Sequence, residues 1–282
     1  MRTLKHSKEQ GQRRKIFSKS FFGSFGKKNL GQLADLYFSM VCELLKSLLI
    51  VLERGNSRIQ ILTFFGECIK IYPAPAILSI SSRIWFTKSG TYYYNTEGYL
   101  SDSLILHRTL EGKELVRYGK IFGEKFSVYN FETKLIKKGE IPDRYKNQVF
   151  PVADLDGSVY CIHSALPIVK KFSSNGDLIL EKNLDLPEFK QIFSNWIKAN
   201  RDAPPYMSFS LSYWKDIEIS ENGDLFLLVN LSERMIIYRM DKNGNISARY
   251  IGVQDSITMI DVKGRNLWAF GGNSHKFYHF IL

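Results

Sequence analysis

Apolar and polar residues alternate with a period of two along most of the chain, in short runs that stop at polar turns. That period places successive side chains on opposite faces of a strand, so the pattern predicts half-buried β-strands. Four segments repeat one form: an alternating run, a turn ending in glycine, and a second alternating run. They are RIQILTFFGECIKIY (58–72), LILHRTLEGKELVRY (104–118), IVKKFSSNGDLILEK (168–182) and IIYRMDKNGNISARY (236–250). A weaker copy is KIFSKSFFGSFGKK (15–28), and the turn glycines Gly23, Gly66, Gly112, Gly176 and Gly244 stand 43, 46, 64 and 68 residues apart. Ahead of most copies lies a more apolar hairpin: VADLDGSVYCIH (152–163), IEISENGDLFLLV (217–229) and IDVKGRNLWAF (260–270), with LLKSLLIVL (44–52) and LSISSRIWF (78–86) as the expected equivalents. Asp-Gly and Asn-Gly tips favour hairpins because both residues tolerate positive φ. An inner hairpin followed by an outer one makes a four-stranded antiparallel unit. Such units recurring every roughly 40–50 residues predict an all-β fold, the β-propeller, whose blades stack to bury both faces.

The two long steps place insertions at 124–147 and 184–206 within one domain spanning 15–282. Phe189, Ile192, Phe193, Trp196 and Ile197 share one helical face after Pro187, which predicts an amphipathic helix packed over one blade, or serving as a lid over a ligand site. The polar stretch 124–147, with Pro142, reads as a surface connection. Residues 33–52 are apolar enough to suggest a membrane segment, but Asp35, Glu43 and Lys46 interrupt them. Each such charge costs about 2.5–3.5 kcal/mol at mid-bilayer. The repeat register instead places strands at about 38–43 and 48–52, and no membrane span is expected.

The segment LLIVLERGNSRIQILTFFGE (48–67) resembles the NHL-type propeller repeat, through Glu53, Gly55, Asn56, Arg58, Ile59 and Gln60. Upstream, SFGKKNLGQLADLYF (24–38) is similar to the glycine-rich linker of bacterial six-bladed propellers, with Asn29, Gln32 and Ala34 where that linker has glycine, proline and glutamate. The resemblance implies a six-bladed type. Five inner hairpins are visible and the copy at 15–28 has none before it, so the N-terminal blade is expected to be incomplete. Closure of five blades, the two ends meeting in one composite blade, is the alternative.

Charge changes this picture only locally. The chain's 39 Lys and Arg exceed its 28 Asp and Glu by 11, yet nine of those bases lie in residues 1–30 against the single acid Glu9. Residues 1–14 are therefore read as a basic flexible arm, and the body as close to neutral. Some NHL propellers bind RNA, but a nearly balanced body makes nucleic acid an unexpected partner. The three cysteines, Cys42, Cys68 and Cys161, have neither zinc nor disulfide-framework spacing and read as reduced thiols. The chain shows no recognisable signal peptide: export would require a leader upstream of Met1, and the cytoplasm is expected otherwise.

Candidate chemistry is sparse. The five histidines make no metal-ligand spacing, and no H-E-x-x-H, G-x-S-x-G or P-loop occurs. Ligands of propellers meet the loops at one end of the central channel, so residues near the inner strands are the site candidates: Asp154, His163, Tyr213, Trp214, Asp216 and Trp268. Asp154 and Asp216 are read as preceding inner hairpins at equivalent offsets, which would line a pore with carboxylates and allow the pair to hold a divalent ion such as calcium. The expectation is nonetheless a monomeric, non-catalytic binding module without cofactor, presenting loops to a protein or a small molecule. A pore-centred metal-dependent hydrolase or lyase and an RNA-binding propeller are the alternatives.

Overall fold

The computed structural model describes residues 2–3, 42–45, 48–53, 56–63, 65–74, 84–87, 89–99, 101–125, 133–204 and 207–282. It is a propeller built of antiparallel sheets. Blade 1 holds β2 (Cys42–Leu45), β3 (Leu48–Glu53), β4 (Arg58–Thr63) and β5 (Cys68–Pro73); blade 2 holds β6 (Ile84–Phe86), β7 (Thr91–Asn95), β8 (Ser103–Thr109) and β9 (Glu114–Lys120). Blade 3 holds β10 (Val149–Ala153), β11 (Val159–His163), β12 (Ile168–Phe172) and β13 (Leu178–Asn183). Blade 4 holds β14 (Trp214–Ile219), β15 (Leu225–Val229), β16 (Ile236–Met240) and β17 (Ile246–Ile251), to which β1 (Arg2–Thr3) adds in parallel. Blade 5 is three-stranded: β18 (Ile257–Lys263), β19 (Asn266–Gly271) and β20 (Lys276–Ile281). Among the described residues there are thus five blades rather than six. The copy at 15–28 lies outside those residues, as do Asn29, Gln32 and Ala34.

Alternation along each strand explains how the blades stack. In blade 2, Tyr92 and Tyr94 pack with Ile50, Leu52 and Ile59 of blade 1, while Tyr93 between them packs with Val149 and Val159 of blade 3. In blade 4, Leu225 and Leu227 face blade 3, and Phe226 and Leu228 face Ile260, Val262 and Phe280 of blade 5. A strand buried on both faces needs a continuous apolar run, which is why β15 reads LFLLV and the buried β11 carries no charged residue. Each fully buried aliphatic or aromatic side chain contributes about 1.5–3 kcal/mol of burial.

Seven hairpins share one turn. The residues Thr63, Thr87, Thr109, Asp154, Ser173, Ser220 and Asp241 each accept a hydrogen bond from the N–H of a glycine three positions on and donate their own N–H to the carbonyl four positions on. The glycines, from Gly66 (φ 87°) to Gly244 (φ 80°), all have the left-handed backbone this turn requires. Gly176 has a second reason: a Cβ there would lie 2.7 Å from the Arg117 carbonyl oxygen of blade 2. The same turn at Thr87–Gly90 corrects the expected inner hairpin of blade 2. The described inner hairpin is β6 with β7, the tyrosine run being its second strand, while residues 78–83 of the expected one lie outside the described residues.

First-to-second and third-to-fourth strand turns project from the same side of each antiparallel blade. All seven tight turns therefore mark one end of the propeller, the turn end. The other end, the loop end, carries the second-to-third strand loops and the blade-to-blade linkers. Both insertions are linkers of this kind. The first holds two short helices, α1 (Thr133–Lys137) and α2 (Asp143–Lys146), where a plain connection was expected. The second holds α3 (Glu188–Asp202), whose Phe189, Ile192 and Trp196 enter the core shared by blades 3 and 4. Among the described residues no helix is long and apolar enough to cross a membrane.

Candidate functional site

Asp154 belongs to the turn end. In five sister turns the side chain of the first residue accepts the N–H four positions on: Thr63, Thr87, Ser173, Ser220 and Asp241. Asp154 departs from that rule. Its Oδ1 accepts the Leu155 N–H at 2.7 Å, and Asp156 takes over the Ser158 N–H at 2.8 Å. Oδ2 is thereby turned inward to 3.7 Å from the Lys171 Nζ, both side chains being under a tenth exposed. Lys171 in turn sits 4.7 Å above the Tyr160 ring, whose hydroxyl is pushed up by burial and then by Asp154. Removing one partner of a buried ion pair strands the other charge, at about 3–5 kcal/mol. Gly223 of the next blade closes over this pair, since a Cβ there would lie 2.8 Å from Asp154 Oδ2.

The other candidates are elsewhere. His163 ends β11 at the loop end, with Nδ1 2.7 Å from the Lys146 carbonyl oxygen. A carbonyl only accepts, so Nδ1 carries the proton and Nε2 presents a lone pair, buried and without a partner among the described residues. Burial lowers the His163 pKa to about 4, which keeps the ring neutral. Tyr213 precedes β14 and Trp214 opens it at the same end, where both pack on Phe189 of α3, with ring centroids 4.4 and 5.3 Å away. Asp216, two residues on, accepts the Ile260 N–H at 2.8 Å and so ties blade 4 to blade 5. Trp268 stacks on His279 at 5.4 Å, on the face of blade 5 opposite its core-facing neighbours Leu267 and Ala269.

The structure therefore gathers His163, Tyr213 and Trp214 at the loop end and leaves Asp154 and Trp268 apart. Asp154 and Asp216 do not occupy equivalent positions: by turn register the counterpart of Asp154 is Ser220. Among the described residues no group of three His, Cys, Asp or Glu side chains could hold a metal ion.

The loop end holds a feature that the sequence reading missed. Asn200, in the last turns of α3, is buried, and its side-chain amide brackets one residue of the following loop. The Phe209 N–H donates to Asn200 Oδ1 at 2.8 Å, and Asn200 Nδ2 donates to the Phe209 carbonyl at 3.1 Å. Trp196 Nε1 donates to the same carbonyl at 2.7 Å. On the other side Ser208 meets Tyr145 (3.3 Å) and Arg144 (3.4 Å), whose guanidinium lies over the Tyr145 ring. The backbone is pinned while the side chains of Phe209 (47% exposed) and Met207 (45%) point to water. The available signal was Asn200 itself, a polar residue continuing the apolar 189, 192, 196 spacing of a core-facing helix.

No family model and no curated protein matches the chain. Solved structures do, and the neighbours are β-propellers. A member of the DUF4221 family from Bacteroides vulgatus is 10% identical with a TM-score of 0.50, covering 83% of this chain and 74% of that one. A streptogramin B lyase is 16% identical with a TM-score of 0.46, over 86% of this chain and 67% of that one. The calcium-binding protein regucalcin from Agrobacterium tumefaciens is 12% identical with a TM-score of 0.46, over 87% and 76%. At these identities the likeness concerns the fold alone.

Proposed function

We propose that this chain is a non-catalytic propeller module that binds a protein or a small ligand at its loop end. The observation that carries the reading is the clamp on Phe209. A buried asparagine and a buried tryptophan are committed to holding one exposed loop, and pre-ordered loops with protruding aromatic and methionine side chains lose little entropy on binding. His163, Tyr213 and Trp214 support the same end as packing beneath the loop. No cofactor takes part in this reading. The six-blade type belongs to the proposal, on the family resemblance, with the copy at 15–28 as the part not accounted for by the five described blades.

A photo-crosslinking residue placed at Phe209 tests the module in its native cells, against the same residue at Leu178, an exposed position on an outer strand. Adducts specific to position 209 are the expected result. Their absence, or identical adducts at both positions, would remove the loop end as the binding face.

A further inference from the structure

We infer that the cap formed by α1, α3 and the Met207–Phe209 loop docks an acidic protein segment bearing apolar side chains; this rests on the loop end being the binding face. The helical stretches 133–146 and 188–202 hold eight Lys and Arg against four acids, an excess of four. Residues 31–282 as a whole carry an excess of only three, so outside these two stretches the body has no positive excess left. Three of the four acids are already engaged. Glu188 is buried against Arg249 (2.5 Å) and Tyr238 (2.8 Å), Asp143 pairs with Lys146 (2.7 Å), and Asp202 with Arg201 (3.5 Å). Lys134, Lys137, Lys138, Lys190 and Lys198 are exposed and make no ion pair among the described residues.

The helices that carry these lysines are joined to each other and to the loop. α1 packs on α3, with Gly139 against Ile197, and α3 holds Phe209 through Trp196 and Asn200. Phe209 and Met207 are thus apolar anchors carried by the same helical cap as the exposed lysines. A partner that buried the anchors against carboxylates of its own would meet complementary potential, which raises association rate and selects against basic surfaces. Nucleic acid would match the charge but leaves Met207 unexplained, so a protein segment is the better fit.

The test uses the full chain and short labelled peptides in which leucine and phenylalanine are set among glutamates, with a lysine counterpart and a uridine-rich RNA oligomer. Anisotropy titrations should show the acidic peptide binding at least about tenfold more tightly than the lysine peptide, with affinity falling as salt is added. Phe209→Ser should weaken it about tenfold or more at unchanged melting temperature, because that side chain is half exposed. Lys190→Glu with Lys198→Glu should act similarly. If lysine and glutamate peptides bind equally, or the RNA binds more tightly, while Phe209→Ser still weakens binding, the acidic-partner assignment falls and the loop end stands as a binding face. If no probe responds to Phe209→Ser, both readings fall.

Discussion

His163 shows how far a single buried group can set the solution behaviour of this protein. An unfolded chain's histidine takes up its proton near pH 6.5, whereas burial holds that of His163 down to about 4. Between those values the unfolded state binds more protons, so stability is complete above about pH 6.5 and is lost as pH falls toward 4. The full window corresponds to roughly 3 kcal/mol. His107 is lowered by burial as well and adds in the same direction. Urea titrations between pH 7 and pH 4.5 should therefore show a falling midpoint. His163→Gln should flatten the slope without abolishing it, and equal slopes for the two proteins would show that His163 does not titrate in this window. By contrast Asp154 and Asp216, which looked equivalent in sequence, are each committed to a different structural bond.

At the scale of elements, α3 is fastened by its first turn. Glu188 takes a hydrogen bond from Tyr238 on β16 and pairs with Arg249 on β17, so one carboxylate spans two strands of blade 4. Glu188→Ala leaves the partly solvated Arg249 without its carboxylate and should cost about 1.5–3 kcal/mol. Limited proteolysis should then cut within 188–202 well before the rest of the chain; an unchanged pattern would mean that apolar packing of Phe189, Ile192 and Trp196 suffices. The helix was legible beforehand because its apolar spacing is strong and Pro187 marks its start. The outer hairpins were legible through their turn glycines. The inner hairpin of blade 2 was not, because Tyr92–Tyr94 alternates between two cores and shows no polar face, while the Thr87–Gly90 turn has no Asn-Gly or Asp-Gly tip. The Phe209 clamp was hidden for another reason: it joins residues nine apart through a side-chain amide, and no local pattern encodes that.

For the whole molecule, the cores of the described residues form a series between consecutive blades, as expected where blades stack on their neighbours. At the ends of the described series, blade 5 exposes Met259, Phe277 and Ile281, and blade 1 exposes Ile69 and Ile71. Deleting residues 1–14 removes, among the described residues, only the short pairing of Arg2–Thr3 with β17, and the melting temperature should hold within about 2 °C. On the six-blade proposal, deleting residues 1–28 also removes an outer hairpin and should lower it by several degrees, about 2–4 °C per kcal/mol lost. Equal melting of the two truncations would sink the sixth blade.

The seven matching turns have a practical bearing. They stand at the end opposite the Phe209 loop, and several tips, such as Leu155 and Asn175, are open to solvent. A fluorophore or surface tether attached at Asn175 would immobilise the protein in one orientation with its loop end facing outward. The repetition that builds the blades thus also supplies a handle for presenting the opposite face.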